Sequence, residues 1–590
     1  MERIADMIIR KVRETGADHV FMISGRGILY LTDAVARNGS VEAVCTYHEQ
    51  GASYAAMAYS LWRRSTAVCL VSTGCAAANA VTAALCAYQD GLPVIFISGN
   101  NQLGENKRYT GAPIRTYGSQ EADIISVVSP ITKYAVMIDD PKKAAYEVEK
   151  AIFIAQDGRQ GPVWIDVPLD VQNMRVDEPE LEHFTAPEEE ARSYPIEKLV
   201  RLLNEASRPV ILAGGGAFVA EKEIKELAEK YMIPVVFSPA GADVYGSGNR
   251  SSIGAVGSIG GSRAGNFTVQ NSDLLLVLGS KLCSQLTGVK KNFAREAKII
   301  VIDIDEDEHK KDGVRIDELI IGDASQVMRQ LLLQDELARH EGWAEKCCGW
   351  KELFSLENET FIKELSSEDR LDIYSVAELI SSSLPSDATV ITDAGFEELI
   401  VPSSIRYRDG QRCLFPAAQG AMGYALPAVI GAYKAGAKNI VCVVGDGSFM
   451  MNMQELQIIF DMKIPVKLVV INNNMYAVIR KRQKDLFRKR TIGNDPSDGV
   501  PAPDLRRIAE AFGIGYSLVK NRDGAVKALD MKASSDGPEM IEVISVEDQK
   551  YFHESYAVND KGRLEHRPIE DMSPFLDREI LQREMLIKNI

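Results

Sequence analysis

The chain of 590 residues reads as an α/β protein built from three doubly wound parallel sheets. Two observations predict this. Unbroken runs rich in Val, Ile and Leu, the pattern of strands covered on both faces, recur along the chain with helical stretches between them. Several of these runs stop at clusters of Gly, Asn or Asp, where a chain leaves a sheet and turns. The length itself favours three or four domains.

Taken in order, residues 1–178 alternate strand and helix patterns and form the first domain, with strands predicted at 42–46, 67–71, 93–98 and 162–166. An acidic, Pro-containing stretch over 177–195 reads as a linker. The second α/β domain, 197–335, opens with an apolar run ending in Gly214-Gly215-Gly216 and continues through apolar runs at 273–279 and 298–303. A charged helical connector over 336–371 leads to the third α/β domain, 372–548, and a tail over 549–590 closes the chain.

Composition narrows the function classes. Hydrophobic residues make up 46% and charged residues 25%, as in a water-soluble globular protein. A net charge of −16 argues against a nucleic-acid platform. No apolar run approaches the roughly 20 residues of a membrane span, and the N-terminus lacks the shape of a signal peptide. Nine scattered Cys without a CxxC pair read as free thiols in a reducing cytoplasm. The seven His show no metal-binding spacing.

The chemistry concentrates at 439–474. A strand predicted over 439–444 stops at Gly445-Asp446-Gly447-Ser448, a helical pattern follows over 453–462, and a second strand over 466–471 stops at Asn472-Asn473-Asn474. Parallel strands joined by a helix lie with their carboxyl ends side by side, where open α/β sheets bind ligands. Asp446 and Asn473 can therefore face one point. A carboxylate, an amide oxygen and nearby carbonyls are hard ligands suited to an octahedral Mg²⁺ that also holds phosphates. Gly445 and Gly447 let the backbone come close to a diphosphate.

This GDG, followed at this distance by NN, resembles the signature of thiamine diphosphate (ThDP) enzymes. The resemblance implies that Asp446 and Asn473 bind the metal through their side chains and Met475 through its carbonyl, while Gly447 and Ser448 meet the diphosphate. It implies two further elements. Glu49, in Tyr47-His48-Glu49-Gln50-Gly51 at a predicted helix start, would share a proton with ring nitrogen N1′ and so favour the 4′-imino tautomer that removes the thiazolium C2 proton. In Gln419-Gly420-Ala421-Met422-Gly423, Met422 would hold the cofactor bent and the Gly420 carbonyl would accept a hydrogen bond from the 4′-amino group. Singly, these residues read as a glycine turn, a helix-start Glu favoured by the dipole and a core Met. Their occurrence together, in this order, carries the resemblance.

Three α/β domains with cofactor motifs in the first and third are similar to the acetohydroxyacid synthase and pyruvate oxidase family. Gly158-Arg159-Gln160-Gly161-Pro162, Gln120-Glu121-Ala122-Asp123 and Ile131-Thr132-Lys133-Tyr134 resemble acetolactate synthase large subunits in particular. The 261–273 segment and the tail around 567–576 resemble a branch of acetolactate-synthase-like proteins associated with surface-polysaccharide and nucleotide-sugar pathways. The family implies a ThDP- and Mg²⁺-dependent carboligase. It would decarboxylate a 2-oxo acid such as pyruvate and pass the two-carbon unit to a second 2-oxo acid or a keto-sugar. It also implies a homodimer or homotetramer whose active sites lie between the first domain of one subunit and the third of its partner.

The chain departs from the family where substrates are read. Ser24-Gly25-Arg26-Gly27 replaces Pro-Gly-Gly-Ala, Gly395-Phe396-Glu397 replaces Gly-Gln-His, and Arg482 stands where relatives carry an acceptor-reading Trp. Gly25, Arg26, Gly27, Gln120 and Arg482 are therefore the candidate substrate residues, and a cation at 482 suggests an acceptor more anionic than 2-oxobutyrate. The equally plain reading of Arg482 is one charge on a solvated basic face. FAD stays open: Gly214–Gly216, Gly279, Asp303 and Asp323 stand where related central domains meet flavin, yet Lys281-Leu282-Cys283-Ser284-Gln285 replaces Arg-Phe-Asp-Asp-Arg. Two other readings compete, a ThDP-dependent 2-oxo acid decarboxylase or oxidase and a non-catalytic cofactor-binding scaffold.

Overall fold

A computed structural model describes every residue except 189–191, 335–336, 360–364, 533–535, 559–563 and 589–590. Parts of the linker, the end of the second domain, the connector and the tail thus lie outside the described residues. Three six-stranded sheets carry the chain, and every pairing within them is parallel. The doubly wound fold expected from the apolar runs is present three times over.

The first sheet consists of β1 (His19–Met22), β2 (Glu42–Cys45), β3 (Ala67–Val71), β4 (Val94–Asn100), β5 (Tyr134–Met137) and β6 (Val163–Pro168), in the order β2-β1-β3-β4-β6-β5. The central sheet has β7 (Pro209–Ala213), β8 (Val235–Phe237), β9 (Ser252–Ala255), β10 (Leu274–Leu278), β11 (Lys298–Asp303) and β12 (Glu318–Ile321), ordered β9-β8-β7-β10-β11-β12. The third has β13 (Ala388–Ile391), β14 (Arg412–Leu414), β15 (Lys438–Gly445), β16 (Val466–Asn472), β17 (Gly515–Val519) and β18 (Glu539–Ile544), ordered β14-β13-β15-β16-β18-β17. First and third sheets thus share one strand order. The central sheet follows instead the order of dinucleotide-binding folds. In all three, the order reverses beside the sheet's first strand, and this reversal opens a crevice at the carboxyl ends.

Two helices join the first and third domains. Helix α1 (Glu49–Arg63) presents Ala52, Ala55, Ala56 and Ala58, all buried, and crosses α2 (Ala425–Ala435). A Cβ on Gly431 would lie 1.9 Å from the Ala55 carbonyl oxygen, so only glycine permits this crossing. Tyr54 and Tyr424 pack edge to face beside it, with ring centroids 5.5 Å apart.

Apolar packing is continuous through the molecule. One core joins the first domain to one face of the third sheet, and a second joins that sheet's other face to the central domain. A third core covers the far face of the central sheet. It is closed by Trp343 and Trp350 from the helix Glu341–Leu353 and by Ile569, Met572, Leu581, Met585 and Ile587 of the tail. Connector and tail are therefore part of the central domain's packing. All nine cysteines are free. Among the described residues, no helix is long and apolar enough to cross a membrane.

Candidate active site

The crevice of the third sheet lies between the ends of β13 and β15. Strand β15 ends at Gly445, and Asp446 begins a short helix, Asp446–Phe449. Asp446 Oδ1 accepts from Gly447 N and Oδ2 from Asn474 N, each at 2.7 Å. The second contact ties the end of β15 to the turn after β16, so the two motifs do meet at one place. Asn473 Oδ1 accepts from Met475 N at 3.1 Å. Burial pushes the Asp446 carboxyl up to about 6.

Strand β13 brings a residue that the sequence reading did not single out. Asp393 is fully buried, and its Oδ2 accepts from Ser448 Oγ at 2.6 Å and from Ala425 N at 3.2 Å. Among the described residues, its Oδ1 has no hydrogen-bond partner. Ser448 Oγ in turn accepts from Gly423 N, so one hydroxyl links the diphosphate-type turn to the Met422 segment. Burial, then the like charges of Asp393 and Asp446, push Glu397 up to about 8. Its carboxyl lies between Gly395 and Gly445, 3.4 Å from where a Cβ on Gly445 would stand.

The donor set suits a divalent cation with phosphates attached. Among the described residues, no three His, Cys, Asp or Glu side chains gather as a metal cluster, so a cation here would need the mixed set of carboxylate, amide and carbonyl oxygens around Asp446. Gly445 and Gly447 leave the turn without side-chain bulk; a Cβ on Gly447 would meet the Tyr476 ring at 2.3 Å. The orphaned Asp393 Oδ1 and the uncompensated Asp446 both call for positive charge or a donor.

Gly420 has φ +54, and Met422 beside it is only partly buried, free to be met by a ligand. The first domain of the same chain holds this loop. Ala418 N donates to Asp90 Oδ1, Gln419 Nε2 donates to Gln89 Oε1, and the Gln89 carbonyl accepts from Arg159 and from Lys281 of the central domain.

The first sheet gathers the remaining candidates at its own crevice. A Cβ on Gly25 would lie 2.4 Å from Ser72 Oγ, and one on Gly27 2.5 Å from Thr73 Cγ2, so this loop lies directly on the turn after β3. Gln120, at φ +69, places its carbonyl oxygen 2.4 Å from where a Cβ on Gly74 would be. Arg26 and Gln120 are exposed. Glu49 opens α1, and its Oε2 accepts from Asn79 Nδ2 at 2.9 Å. Asn79 thus leaves Oε1 for a ligand.

Among the described residues, no hydrogen bond joins Glu49 to the Asp446 cluster of its own chain. Its neighbours do reach the third domain. Glu455 accepts from Tyr47 N at 3.2 Å, and Asn452 Nδ2 donates to Gln50 Oε1 and to the Gly423 carbonyl. Arg482 lies on the helix Ala477–Leu486, exposed and, among the described residues, without an ion pair. Neighbouring Lys481 pairs with Asp485 and with Glu554 of the tail.

At the central crevice the candidate flavin residues meet one another or their neighbours. A Cβ on Gly214 would lie 2.1 Å from the Gly279 carbonyl oxygen, and Gly216 N donates to that same oxygen at 3.1 Å. The glycines serve the contact between two turns. Lys281 is engaged by Gln89 and Asp303 by His309. The flavin reading gains no support from them.

Comparison with known proteins agrees with this arrangement. Residues 2–127 match the thiamine pyrophosphate enzyme N-terminal TPP binding domain, 196–331 the central domain and 393–543 the C-terminal TPP binding domain. The acetolactate synthase large subunit of Pyropia yezoensis is 31% identical over 572 residues, covering 93% of this chain and 92% of its own. The acetolactate synthase of Arthrospira platensis is 31% identical over 564 residues, covering 92% and 94%. The acetolactate synthase isozyme 2 large subunit of Escherichia coli is 29% identical over 548 residues, covering 91% and 95%.

Proposed function

The chain belongs to the thiamine pyrophosphate enzymes of the acetohydroxyacid synthase family, and on that premise we propose that it is a Mg²⁺-dependent carboligase. It decarboxylates a 2-oxo acid such as pyruvate and joins the two-carbon unit to a carbonyl acceptor. One observation supports this above the others: Asp446, Ser448 and Asp393, from two neighbouring strand ends and the turn between them, converge with the Asn472–Met475 turn in the third sheet's crevice.

In this reading Asp446, Asn473 and the Met475 carbonyl hold the cation, and the Gly447 and Ser448 turn holds the diphosphate. ThDP, when bound, supplies a carbon nucleophile and an electron sink. The chain supplies orientation and proton control. Gly420 offers its carbonyl to the 4′-amino group, Met422 supports the bent form, and Glu49 holds a proton toward N1′ while Asn79 fixes its other oxygen. The reaction is redox-neutral, so the reading does not call on FAD.

Glu49 and the Asp446 cluster belong to different crevices with the same strand order, and we take each to be completed by a second copy of the chain. Gly25, Arg26, Gly27, Gln120 and Arg482 would line the acceptor side. Exposed Arg26 and Arg482, without an ion pair among the described residues, favour an anionic acceptor, such as a phosphorylated or nucleotide-linked keto-sugar, over 2-oxobutyrate. Mass spectrometry of products from pyruvate, alone and with 2-oxobutyrate or keto-sugar nucleotides, tests this in wild type and Arg482→Trp. Coupling to the anionic sugar by wild type and its loss in Arg482→Trp are expected. Acetolactate as the sole product in both leaves a plain acetolactate synthase. Acetaldehyde or acetate as the sole product would make the protein a decarboxylase or an oxidase.

A further inference from the structure

The loop that carries Gly420 has an acid on each side. Asp90 accepts from Ala418 N–H, and the charges of Lys281 and Arg159 act on it. Glu398 lies opposite. Its Oε2 and Oε1 stand 2.3 and 2.8 Å from where a Cβ on Gly420 would be. The carboxyl is flush against the glycine, in space that no other residue at 420 would leave open.

Most other acids of this region have partners, the exception being Glu397, whose carboxyl lies between Gly395 and Gly445. Asp393 Oδ2 is met by Ser448 and Ala425, Asp446 by Gly447 and Asn474, and Asp90 by Ala418. Among the described residues, no hydrogen bond or ion pair reaches the half-buried Glu398 carboxyl. An acid kept in that state without a partner costs stability. The titratable groups around it are Asp393, Asp90 and Tyr551, whose hydroxyl donates to the Gly395 carbonyl. Burial, then the like charges of Asp393 and Asp90, push Glu398 up to about 7. A carboxyl raised toward neutral pH is suited to giving and taking a proton there.

We propose that Glu398 is a further catalytic residue of this site, touching the ligand group seated on the Gly420 carbonyl and exchanging a proton with it at Oε2. The inference rests on the cofactor reading of Gly420. In the forward direction the carboxyl O–H bond breaks, the proton passes to a nitrogen or oxygen of the ligand, and the bonding pair stays on Oε2. The carboxylate recovers a proton when that ligand atom gives one up. No electron is transferred and no co-reactant is consumed.

The test uses the full chain with ThDP and Mg²⁺ as probes. Calorimetric titration in phosphate and in Tris, whose ionisation enthalpies differ, counts the protons exchanged on binding as pH is varied. Wild type is expected to show an exchange with a midpoint near pH 7. Glu398→Gln is expected to bind yet lack that component, and its turnover of pyruvate to fall roughly 10²-fold with the matching limb gone from the pH profile. An unchanged proton count and pH profile in Glu398→Gln overturn the proposal alone. Failure of wild type to bind ThDP overturns the cofactor reading and takes the proposal with it. If Glu398→Gln does not fold, Glu398→Ala, which also lacks the ionisable group, carries the same comparison.

Discussion

Asp446 uses both carboxylate oxygens on backbone N–H groups at the ends of neighbouring strands, which makes it a brace for the turn as well as a candidate ligand. The two roles separate by substitution. Asp446→Ala should leave the Gly447 N–H unpaired and the Asn474 N–H with Asn472 Oδ1 alone, at a cost of about 1–3 kcal/mol, and should also lose the cation. Asp446→Asn keeps an acceptor for the turn but removes the charge that neutralises a divalent ion. The expected outcome is a near-normal melting temperature for Asp446→Asn with ThDP and Mg²⁺ affinity at least about tenfold weaker, a loss of about 1.4 kcal/mol. Unchanged affinity in both variants, measured by calorimetry, would remove Asp446 from the metal site. Asp446 and Asn473 were legible in the sequence because each follows an apolar run that ends abruptly. Asp393 follows such a run too, but its nearness to Asp446 depends on which strands are neighbours. Glu398 and Glu455 were silent for the same reason: each is defined by a contact with a distant segment, Gly420 or Tyr47.

At the scale of elements, the crossing of α1 and α2 is a joint closed at backbone distance. Gly431 lets two backbones touch, and a Cβ would overlap the Ala55 carbonyl oxygen. Gly431→Val should force the helices apart, at about 1–3 kcal/mol or more for an overpacked core. Thermal melting of the apo protein should show the loss, while a melting temperature within a degree or so of wild type would mean the helices have room to shift. The strands were largely readable as buried apolar runs. The helix expected over 453–462 was not read correctly at its start. A 3₁₀ segment, Met450–Glu455, comes first, and the α-helix begins only at Leu456. Asn452, at φ −131 and ψ 33, leaves helical geometry because its side-chain amide reaches both Gly423 and Gln50. Periodicity cannot reveal such a break, since the cause lies in two other segments.

On the scale of the whole molecule, the first and third sheets present the same strand-order crevice twice, one with Glu49 and one with Asp446, and in the proposed reading each is completed by a partner copy. Tyr47, Leu486 and Ile492 are 60%, 64% and 75% exposed, large apolar surface on both crevice-bearing domains. The active unit should therefore be at least a dimer, by light scattering under assay conditions, and a fully active monomer would overturn the shared site. Domain order was visible in the spacing of the motifs. The strand order was not, because an apolar run records that a strand is buried and not which strand lies beside it. One further consequence concerns synthesis. The far face of the central sheet is covered by Ile569, Met572, Leu581, Met585 and Ile587, residues synthesised long after the strands they cover. The first domain has all of its strands, and the clasp of Glu2–Arg3 against Arg175–Val176, once the early part of the chain has emerged. The middle of the molecule must wait, that part of its apolar face open, until residues 569–587 have emerged. A stop or frameshift just before residue 569 would leave that face of the central sheet uncovered while both flanking domains have all their strands.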